Sequence, residues 1–428
     1  MKDRLLKAAV SLLTAATVAC YGGSASAVVG AEPPVPPGTA GIMGRIPDMN
    51  QERLARLDYN FGHLSLRGRL DLTSSLHHGD LPKPAGSGEN PYGDHQQLGE
   101  GTRPSIKGQL ELNLNANINN HLSVYADLLA GSTFGVQFAS DLPFGDSYTP
   151  PIVRLGEFGA SYSSGRFSLT AGLQRFTLGP VGLAARSTMV PVHLMAVGYE
   201  ADTMSVALLG GRLSSEYYVG TDYVVGTDTL MGGRVETRVG GSTIIGYNHL
   251  LSGLGDEMAQ SFDLTTRIAD RRLVAEAARY NHGSTITDMA HQDAYALFLR
   301  FNLIDTADQI LRVGYGVAEK GFTPAFSATA TSTGASLNLA HNSSNLTVDY
   351  MRRLSGPYSL SGSVSVSEFI DPQFAADTQM ARHLPSSEYT IGVQKELERN
   401  SLLSLTLSHR QSSEFSYNSV TAQMSFGF

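Results

Sequence analysis

The last residues of the chain alternate between apolar and polar side chains without a break, in the run V-T-A-Q-M-S-F-G-F from Val420 to Phe428. Successive side chains of a β-strand point to opposite faces, so this pattern predicts a strand with one apolar face and one polar or very small face. The run ends on an aromatic side chain and no polar residue follows it. We therefore expect the apolar face of this strand to lie against something other than water, with Phe426 and Phe428 as its terminal apolar contacts.

The first residues have the features of a secretory signal peptide. Lys2, Arg4 and Lys7 precede an apolar run at 8–19, and Ala25-Ser26-Ala27 supplies the small-x-small pattern that signal peptidase accepts. The apolar run is too short to span a bilayer. We expect residues 1–27 to be removed after export.

Cys20 is the only cysteine in the chain and leaves an alternative open. Val18-Ala19-Cys20 partly fits a lipid-attachment site, although Thr17 stands where that pattern has Leu. Cleavage after Ala27 would instead remove this cysteine, and the mature chain would then have neither thiol chemistry nor disulfides in the oxidising space outside the cytoplasm.

From His63 onward the chain is a succession of alternating segments of about ten residues. Tight turns rich in Gly, Asn, Asp and Ser separate them at 119–120, 163–166, 240–242, 270–271, 305–308 and 398–401. Longer polar links lie between these hairpins, at 75–103, 134–151, 177–191, 213–227, 283–291, 319–332 and 369–385. The pattern contains nineteen candidate strands, and the order of long and short connections slips between 319 and 385, around the candidate strand 335–341.

The closing strand resembles the C-terminal strand of bacterial outer-membrane β-barrel proteins, in which a terminal Phe follows alternating apolar positions. Short turns at one end and long loops at the other are typical of the same proteins. The resemblance implies a porin-type fold: an all-β, antiparallel, up-and-down transmembrane barrel at 61–428. Bacterial single-chain barrels have an even number of strands, so we expect 18, with 16 as the next alternative. A secreted β-sandwich or β-helix is the soluble alternative, but it requires neither the terminal Phe nor rows of outward leucines.

Residues 28–60 precede the expected barrel and differ from it in composition. The run E-P-P-V-P-P-G-T-A-G is extended and shows no alternation, and 47–57 could cap and begin a short helix. We expect this segment to lie in the periplasm or in the mouth of the pore.

Alternation also predicts which charged side chains face the inside of the barrel, because a charge on the lipid face costs about 2–4 kcal/mol near the midplane. The predicted pore-lining residues are Arg67, Arg69, Asp71, Lys107, Glu111, Arg234, Glu236, Arg238, Asp263, Arg267, Arg300, Arg312, Asp349, Arg353 and Arg410, together with Asn113, Glu388 and Glu396. Ten bases face seven acids in this set. The lumen therefore leans positive although the whole chain carries a net charge of −8. Pairing of these groups across neighbouring strands is the alternative to a role in selectivity.

These features favour a porin-like channel through which small polar solutes diffuse passively, with a slight preference for anionic or neutral ones. The expected partners are outer-membrane lipids, the barrel-assembly machinery and small polar solutes; homo-oligomerisation stays open, and the acidic chain is not expected to bind nucleic acid. The alternative is a non-conducting surface barrel for adhesion or polysaccharide export and assembly. In that case we expect segment 28–60 or loop 75–103 to fill the lumen.

Signals for chemistry are few. We find no G-x-S-x-G, H-E-x-x-H or P-loop motif and expect no enzyme activity, no cofactor and no metal site. The link 75–103 contains His77, His78 and His95 without the spacing of a metal site, so we expect a solvated external loop that could fold into the mouth. Residues 175–182 resemble a G-R-Q…G-P loop of some polysaccharide-export barrels, except that Leu173 stands where that pattern has Arg.

The chain has no Trp, so any aromatic belts at the membrane interfaces must consist of Tyr and Phe. Several of these residues lie near the predicted strand ends and are the candidates for such belts: Tyr162, Tyr247, Tyr280, Tyr350, Tyr389 and Phe428. We expect their rings to face outward.

Overall fold

A computed structural model describes residues 59–61, 64–80, 100–135, 148–174, 176–186, 192–212, 229–252, 257–281, 293–322, 342–371, 386–397, 400–412 and 416–427. The predicted signal peptide, Cys20, segment 28–58 with its candidate helix, and Phe428 lie outside these residues. Among the residues that the structure describes, no helix is long and apolar enough to cross a membrane.

The described residues form β-strands joined by turns and loops. The strands are β1 (Tyr59–Phe61), β2 (Leu64–Asp80), β3 (Glu100–Asn117), β4 (Leu122–Gly135), β5 (Tyr148–Ser164), β6 (Phe167–Gln174), β7 (Thr177–Leu178), β8 (Ala185–Arg186), β9 (Val192–Glu200), β10 (Met204–Arg212), β11 (Thr229–Val239), β12 (Thr243–Ser252), β13 (Glu257–Ile268), β14 (Arg271–Asn281), β15 (Asp293–Asp305), β16 (Gln309–Ala318), β17 (Ser343–Arg353), β18 (Tyr358–Phe369), β19 (Ser386–Leu397), β20 (Ser401–Ser412) and β21 (Ser416–Gly427).

Eighteen of these strands close into an antiparallel barrel, which confirms the predicted fold and strand number. Each barrel strand pairs with its neighbour along the chain, and β21 closes the ring on β2 from Arg69 opposite Gly427 to Asp80 opposite Ser416. The short β1 pairs with the part of β2 that β21 does not reach, at 64–66. Closure matters because an open sheet edge would leave backbone N–H and C=O groups without partners in a bilayer.

The nineteenth candidate strand is not a strand of the barrel wall. β16 pairs directly with β17, from Gln309 opposite Arg352 to Ala318 opposite Ser343, so no strand lies between them in the ring. The segment 335–341 is part of the connection between these two strands and lies outside the described residues. Its alternation explains why the predicted order of long and short connections slipped in this region.

The two faces of the wall differ sharply in exposure and polarity. On the outer face Leu72, Ile106 and Leu208 are 46%, 57% and 62% exposed, whereas Ser261 and Asp263 on the inner face are 1% and 3% exposed. Such a large apolar outer surface is stable only in an apolar surrounding, as expected for side chains that meet lipid.

The connections are short at one end of the barrel, as predicted. The turn between β13 and β14 contains only Ala269 and Asp270, both with positive φ (49° and 63°), as in a type I′ hairpin whose twist matches that of the flanking strands. Gly165, Gly240 and Gly356 supply the positive φ in other turns at this end. Most of the longer links at the opposite end lie outside the described residues.

Two predictions were wrong, one about the side chain of Tyr280 and one about the length of the link 75–103. Tyr280 does not belong to an outer aromatic belt, because it is 2% exposed on the inner face and its ring contacts Phe322 edge-on, with ring centroids 6.3 Å apart. The link 75–103 is also shorter than expected: β2 continues to Asp80 and places His77 and His78 on opposite faces of the wall. The other candidates within the described residues, Tyr162, Tyr247, Tyr350 and Tyr389, lie on the outer face.

Candidate functional site in the barrel lumen

A segment between β6 and β9 folds into the barrel instead of extending from its rim. This segment, residues 176–186, is called the inner loop here and contains the small hairpin β7–β8. Its apolar side chains are buried almost completely: Phe176, Leu178, Val181, Leu183 and Ala184 are between 0% and 3% exposed. The prediction that 177–191 is an external link was therefore wrong for this segment.

The wall beneath the inner loop is largely apolar on its inner face, unlike the rest of the lumen. The inner loop and the wall form one apolar cluster that runs across β9 to β16 and includes Val192, Leu194, Ala196, Leu209, Leu230, Leu250, Ala259, Val274, Ala278, Tyr280, Ala294, Ala296, Phe298, Ala318 and, just after β16, Phe322. Contact between the inner loop and the wall removes apolar surface of both from water, which stabilises the fold by roughly 25 cal/mol per Å² buried. The inner loop is therefore packed against one side of the barrel.

A carboxylate of the wall binds the backbone of the inner loop. Glu276 is 0% exposed, and its Oε2 accepts hydrogen bonds from the backbone N–H groups of Val181 and Gly182, both at 3.0 Å. Its Oε1 accepts from the N–H of Leu183 at 3.0 Å and from the hydroxyl of Ser261 at 2.9 Å. Three consecutive N–H groups thus converge on one side chain, as in the backbone concavities that bind anions.

The turn of the inner loop requires glycine where it passes over this carboxylate. Gly179 has φ +86°, and a Cβ at this position would lie 2.9 Å from Asn248 Nδ2 and 3.0 Å from both Glu276 oxygens. Any larger residue would therefore meet the wall as well as strain the backbone.

A buried ion pair lies beside Glu276 on the neighbouring strands. Arg234 Nη1 lies 2.6 Å from Asp263 Oδ2 and Arg234 Nη2 lies 3.0 Å from Asp263 Oδ1, a bidentate arrangement. Arg234 also donates to Glu236 through Nε at 2.9 Å and to Asn248 Oδ1 at 2.8 Å. Asn248 in turn donates to Asp263 and to Ser261, at 2.8 Å and 2.9 Å. The ion pair covers the backbone at Gly246, where a Cβ would approach the Asp263 carboxylate to 2.5 Å.

Four arginines on successive strands form a second charged group, the arginine row. Arg267 on β13 and Arg272 on β14 are directly paired, although both carry positive charge. Arg300 on β15 and Arg312 on β16 continue the row, and Arg312 lies opposite Asp349 on β17. Arg300 experiences repulsion from Arg312 and Arg272 and attraction from Asp349. The row therefore carries an excess of positive charge on this side of the lumen.

The wall continues beyond Asp349 with hydroxyl groups instead of charges. Ser363 on β18, Thr390 on β19, Ser408 on β20 and Ser419 on β21 are directly paired in one row across four strands. Ser408 and Ser419 are 2.6 Å apart at their hydroxyl oxygens, and further hydroxyl-bearing side chains follow on the same face, among them Ser361, Ser365, Thr406, Thr421 and Ser75. The row from Ser363 to Ser419 therefore offers hydroxyl groups and no charged side chain.

The remaining predicted pore-lining residues are spread around the ring. On β2, Arg69 forms an ion pair with Asp71 at 2.8 Å and lies opposite Glu111, which accepts a hydrogen bond from Asn113 at 3.2 Å. Arg353 on β17 approaches Glu396 on β19 at 3.7 Å. Five further predicted pore-lining residues occupy inward positions of their strands: Arg67, Lys107, Arg238, Glu388 and Arg410.

The strand register therefore places every predicted pore-lining residue on the face opposite the exposed apolar side chains. The structure brings Arg234, Glu236 and Asp263 together, and separately Arg267, Arg300, Arg312 and Asp349. That these residues line a conducting pore stays a prediction.

Sequence reasoning missed Glu276, which accepts three backbone hydrogen bonds from the inner loop. In the run L-V-A-E-A-A-R-Y of β14, Val274 and Glu276 share the inner face while Arg279 lies on the outer one, so alternation alone gave no clear assignment. Arg272, Asn248 and Ser261 were also missed. The sequence does contain signals for these three residues. Arg272 follows Arg271 at the start of β14, and Asn248 and Ser261 are small polar side chains at inward positions of their strands.

No family model matches the sequence, and no curated protein matches it. The barrel is similar to the crystal structure of Pseudomonas aeruginosa OccK5 (OpdH), at 10% sequence identity and a TM-score of 0.54, covering 85% of this chain and 98% of that chain. It is also similar to Acinetobacter baumannii OccAB4, at 9% identity and a TM-score of 0.55, covering 88% and 99%, and to Pseudomonas aeruginosa OpdQ, at 12% identity and a TM-score of 0.54, covering 85% and 98%. The chain thus has the fold of a porin-type outer-membrane β-barrel, as the closing strand predicted.

Proposed function

We propose that this protein is an outer-membrane channel through which small polar solutes diffuse passively. The observation that carries the proposal is the closed eighteen-strand barrel, whose inner face carries charged and hydroxyl-bearing side chains away from the apolar contact with the inner loop. A barrel of about 8 strands is filled by its own side chains, whereas one of 16–18 strands leaves an aqueous channel. The proteins of similar fold, OccK5 and OccAB4, are outer-membrane porins, which supports the same location and activity for this chain.

We propose a preference for anionic over cationic solutes, and free passage for neutral ones. The arginine row supports this preference, because Arg267 and Arg272 are direct cross-strand neighbours on the inner face and Arg300 is repelled by Arg272 and Arg312. The hydroxyl-bearing wall adds hydrogen-bonding groups without adding charge. Solutes would be sorted by size at the narrowing beside the inner loop and by charge along the arginine row. No catalytic role is part of this proposal.

Single-channel recording of the purified protein in a planar bilayer tests the proposal. We expect stepwise openings, with a reversal potential in a KCl gradient that indicates a preference for chloride. Replacing Arg300 and Arg312 by Gln should lower the ratio of anion to cation permeability by about 2–5-fold per charge, since a charge at 4 Å contributes at most about 1 kcal/mol in water. Arg166→Gln is a matched control, because Arg166 lies in a turn and pairs with Asp202 outside the lumen.

A second candidate is a non-conducting surface barrel for adhesion or polysaccharide assembly. The observation that favours it is the inner loop, which already occupies one side of the lumen. Segment 28–60 or loop 75–103 was expected to fill the lumen in this case, and most of each, residues 28–58 and 81–99, lies outside the described residues. A folded barrel that never conducts would select this candidate, and a strong cation preference would retain the channel but contradict the role of the arginine row.

A further inference from the structure

The barrel wall alone does not supply enough hydrogen-bond donors for the buried carboxylate of Glu276. Its direct cross-strand neighbour is Asp263, so two carboxylates face each other at an inward, buried position. Like charges directly opposite in a sheet are destabilising, and a buried carboxylate without donors is costly. Arg234 neutralises Asp263 through its bidentate contact, and its other side-chain hydrogen bonds go to Glu236 and Asn248 rather than to Glu276. The donors for Glu276 come from Ser261 and from the inner loop.

The inner loop supplies three of the four hydrogen bonds that Glu276 accepts. The three N–H groups belong to consecutive residues, so they reach one carboxylate only when the loop has the backbone shape set by Gly179 and Gly182, with φ of +86° and +74°. The side-chain packing of Leu178 and Leu183 is not directional and would tolerate small slips along the wall. The hydrogen bonds to Glu276 are directional and give the inner loop one position.

We infer that Glu276 is a positioning residue that locks the inner loop against the wall and thereby keeps the open cross-section of the channel constant. The inference rests on the proposed channel function for its effect on current, but the lock itself does not depend on conduction. With the lock in place the loop stays on the side of β9 to β16. Without it, the loop leaves the wall and moves in and out of the open part of the lumen, while the barrel remains closed.

Glu276→Gln is the sharpest test because it preserves the size of the side chain. An amide has one acceptor and one donor group, so in either orientation its NH₂ group meets backbone N–H donors of the inner loop. Glu236→Gln is the matched control: it removes the same charge from the same side of the wall, but Glu236 bonds to Arg234 and not to the inner loop. Retention of heat-modifiable migration in both variants establishes that the barrel has folded.

The first readout is single-channel current. We expect Glu276→Gln to raise the frequency of brief current interruptions more than tenfold over the wild type. Glu236→Gln should keep the wild-type frequency of interruptions, whatever the loss of a lumen charge does to its conductance and selectivity. A folded Glu276→Gln protein with a current as steady as that of the wild type would overturn the inference.

The second readout reports the loop position directly. Cys20→Ser leaves no native thiol, and Ala184→Cys then introduces one at a position of the inner loop that is 0% exposed. We expect a bulky maleimide to label this thiol at least tenfold faster in the Glu276→Gln background than in the Glu236→Gln background. Equal labelling rates would show that Glu276 does not hold the loop. If no variant conducts, the channel function is wrong, and the labelling rates still decide whether the lock exists.

Discussion

The buried pair of Arg234 and Asp263 offers the clearest test of how the lumen wall is stabilised. Their side chains are 8% and 1% exposed, and two hydrogen bonds of 2.6 Å and 3.0 Å join them. In Arg234→Met, Asp263 would keep only the bond from Asn248 at 2.8 Å, while Glu276 remains directly opposite. Removal of one partner from a buried ion pair costs about 3–5 kcal/mol, because the other charge stays desolvated.

A double-mutant cycle separates the pair from its surroundings. We expect Arg234→Met to lower the free energy of unfolding by about 3–5 kcal/mol. The double variant Arg234→Met, Asp263→Leu should recover part of this loss, which corresponds to a coupling energy between the two residues of about 2 kcal/mol or more. Arg166→Met is the control, since Arg166 and Asp202 are 56% and 87% exposed and such pairs contribute about 0.2–1 kcal/mol. Reversible urea unfolding of the barrel in lipid vesicles provides the measurement. A loss for Arg234→Met no larger than that of the control would refute the reasoning.

Two further predictions concern the outer face and the closing strand. Leu208 is 62% exposed near the middle of β10, so Leu208→Arg should destabilise the barrel in vesicles by about 2–4 kcal/mol, whereas Ser363→Arg on the lumen face should fold normally; equal losses would contradict the assignment of the faces. Phe426→Ala should reduce the assembled fraction in the outer membrane several-fold, measured by heat-modifiable migration of membrane extracts, while refolding of the purified chain in detergent stays unchanged. Normal assembly in cells would remove Phe426 from the insertion signal.

The architecture of this protein could be predicted from its sequence because every strand of a membrane barrel has one face toward lipid, so apolar side chains recur at every second position. Alternation located the strands, and tight turns such as Asn119-Asn120 located one end of the barrel. The requirement that bacterial barrels close with an even number reduced nineteen candidates to the observed eighteen. The additional candidate at 335–341 arose because alternation also occurs in a segment that is not part of the wall. Pairing between β16 and β17, a contact between distant segments, was needed to exclude it.

The candidate site was harder to predict, because its contacts join segments far apart in the sequence. Glu276 and Val181 are separated by 95 residues, and no local pattern connects them. Arg234 and Asp263 were each placed on the inner face by alternation, but the bidentate contact between them follows from the register of β11, β12 and β13. Tyr280 was misplaced for a related reason. An aromatic side chain near a strand end fits the outer belt, unless an apolar inner surface is present to receive it.

That apolar inner surface leaves a signal in the sequence, and the signal is a failure of alternation. Where the inner face meets water, as in β18, serines alternate with apolar residues such as Val364 and Val366. In β10 the consecutive residues Val206-Ala207-Leu208-Leu209 are apolar on both faces, and Leu209 is 4% exposed. A barrel strand that is apolar on both faces needs a second apolar partner besides lipid, and only another part of the same chain can reach it inside a closed barrel. Runs of this kind on consecutive strands therefore predict an inward-folded segment and the side of the lumen on which it lies.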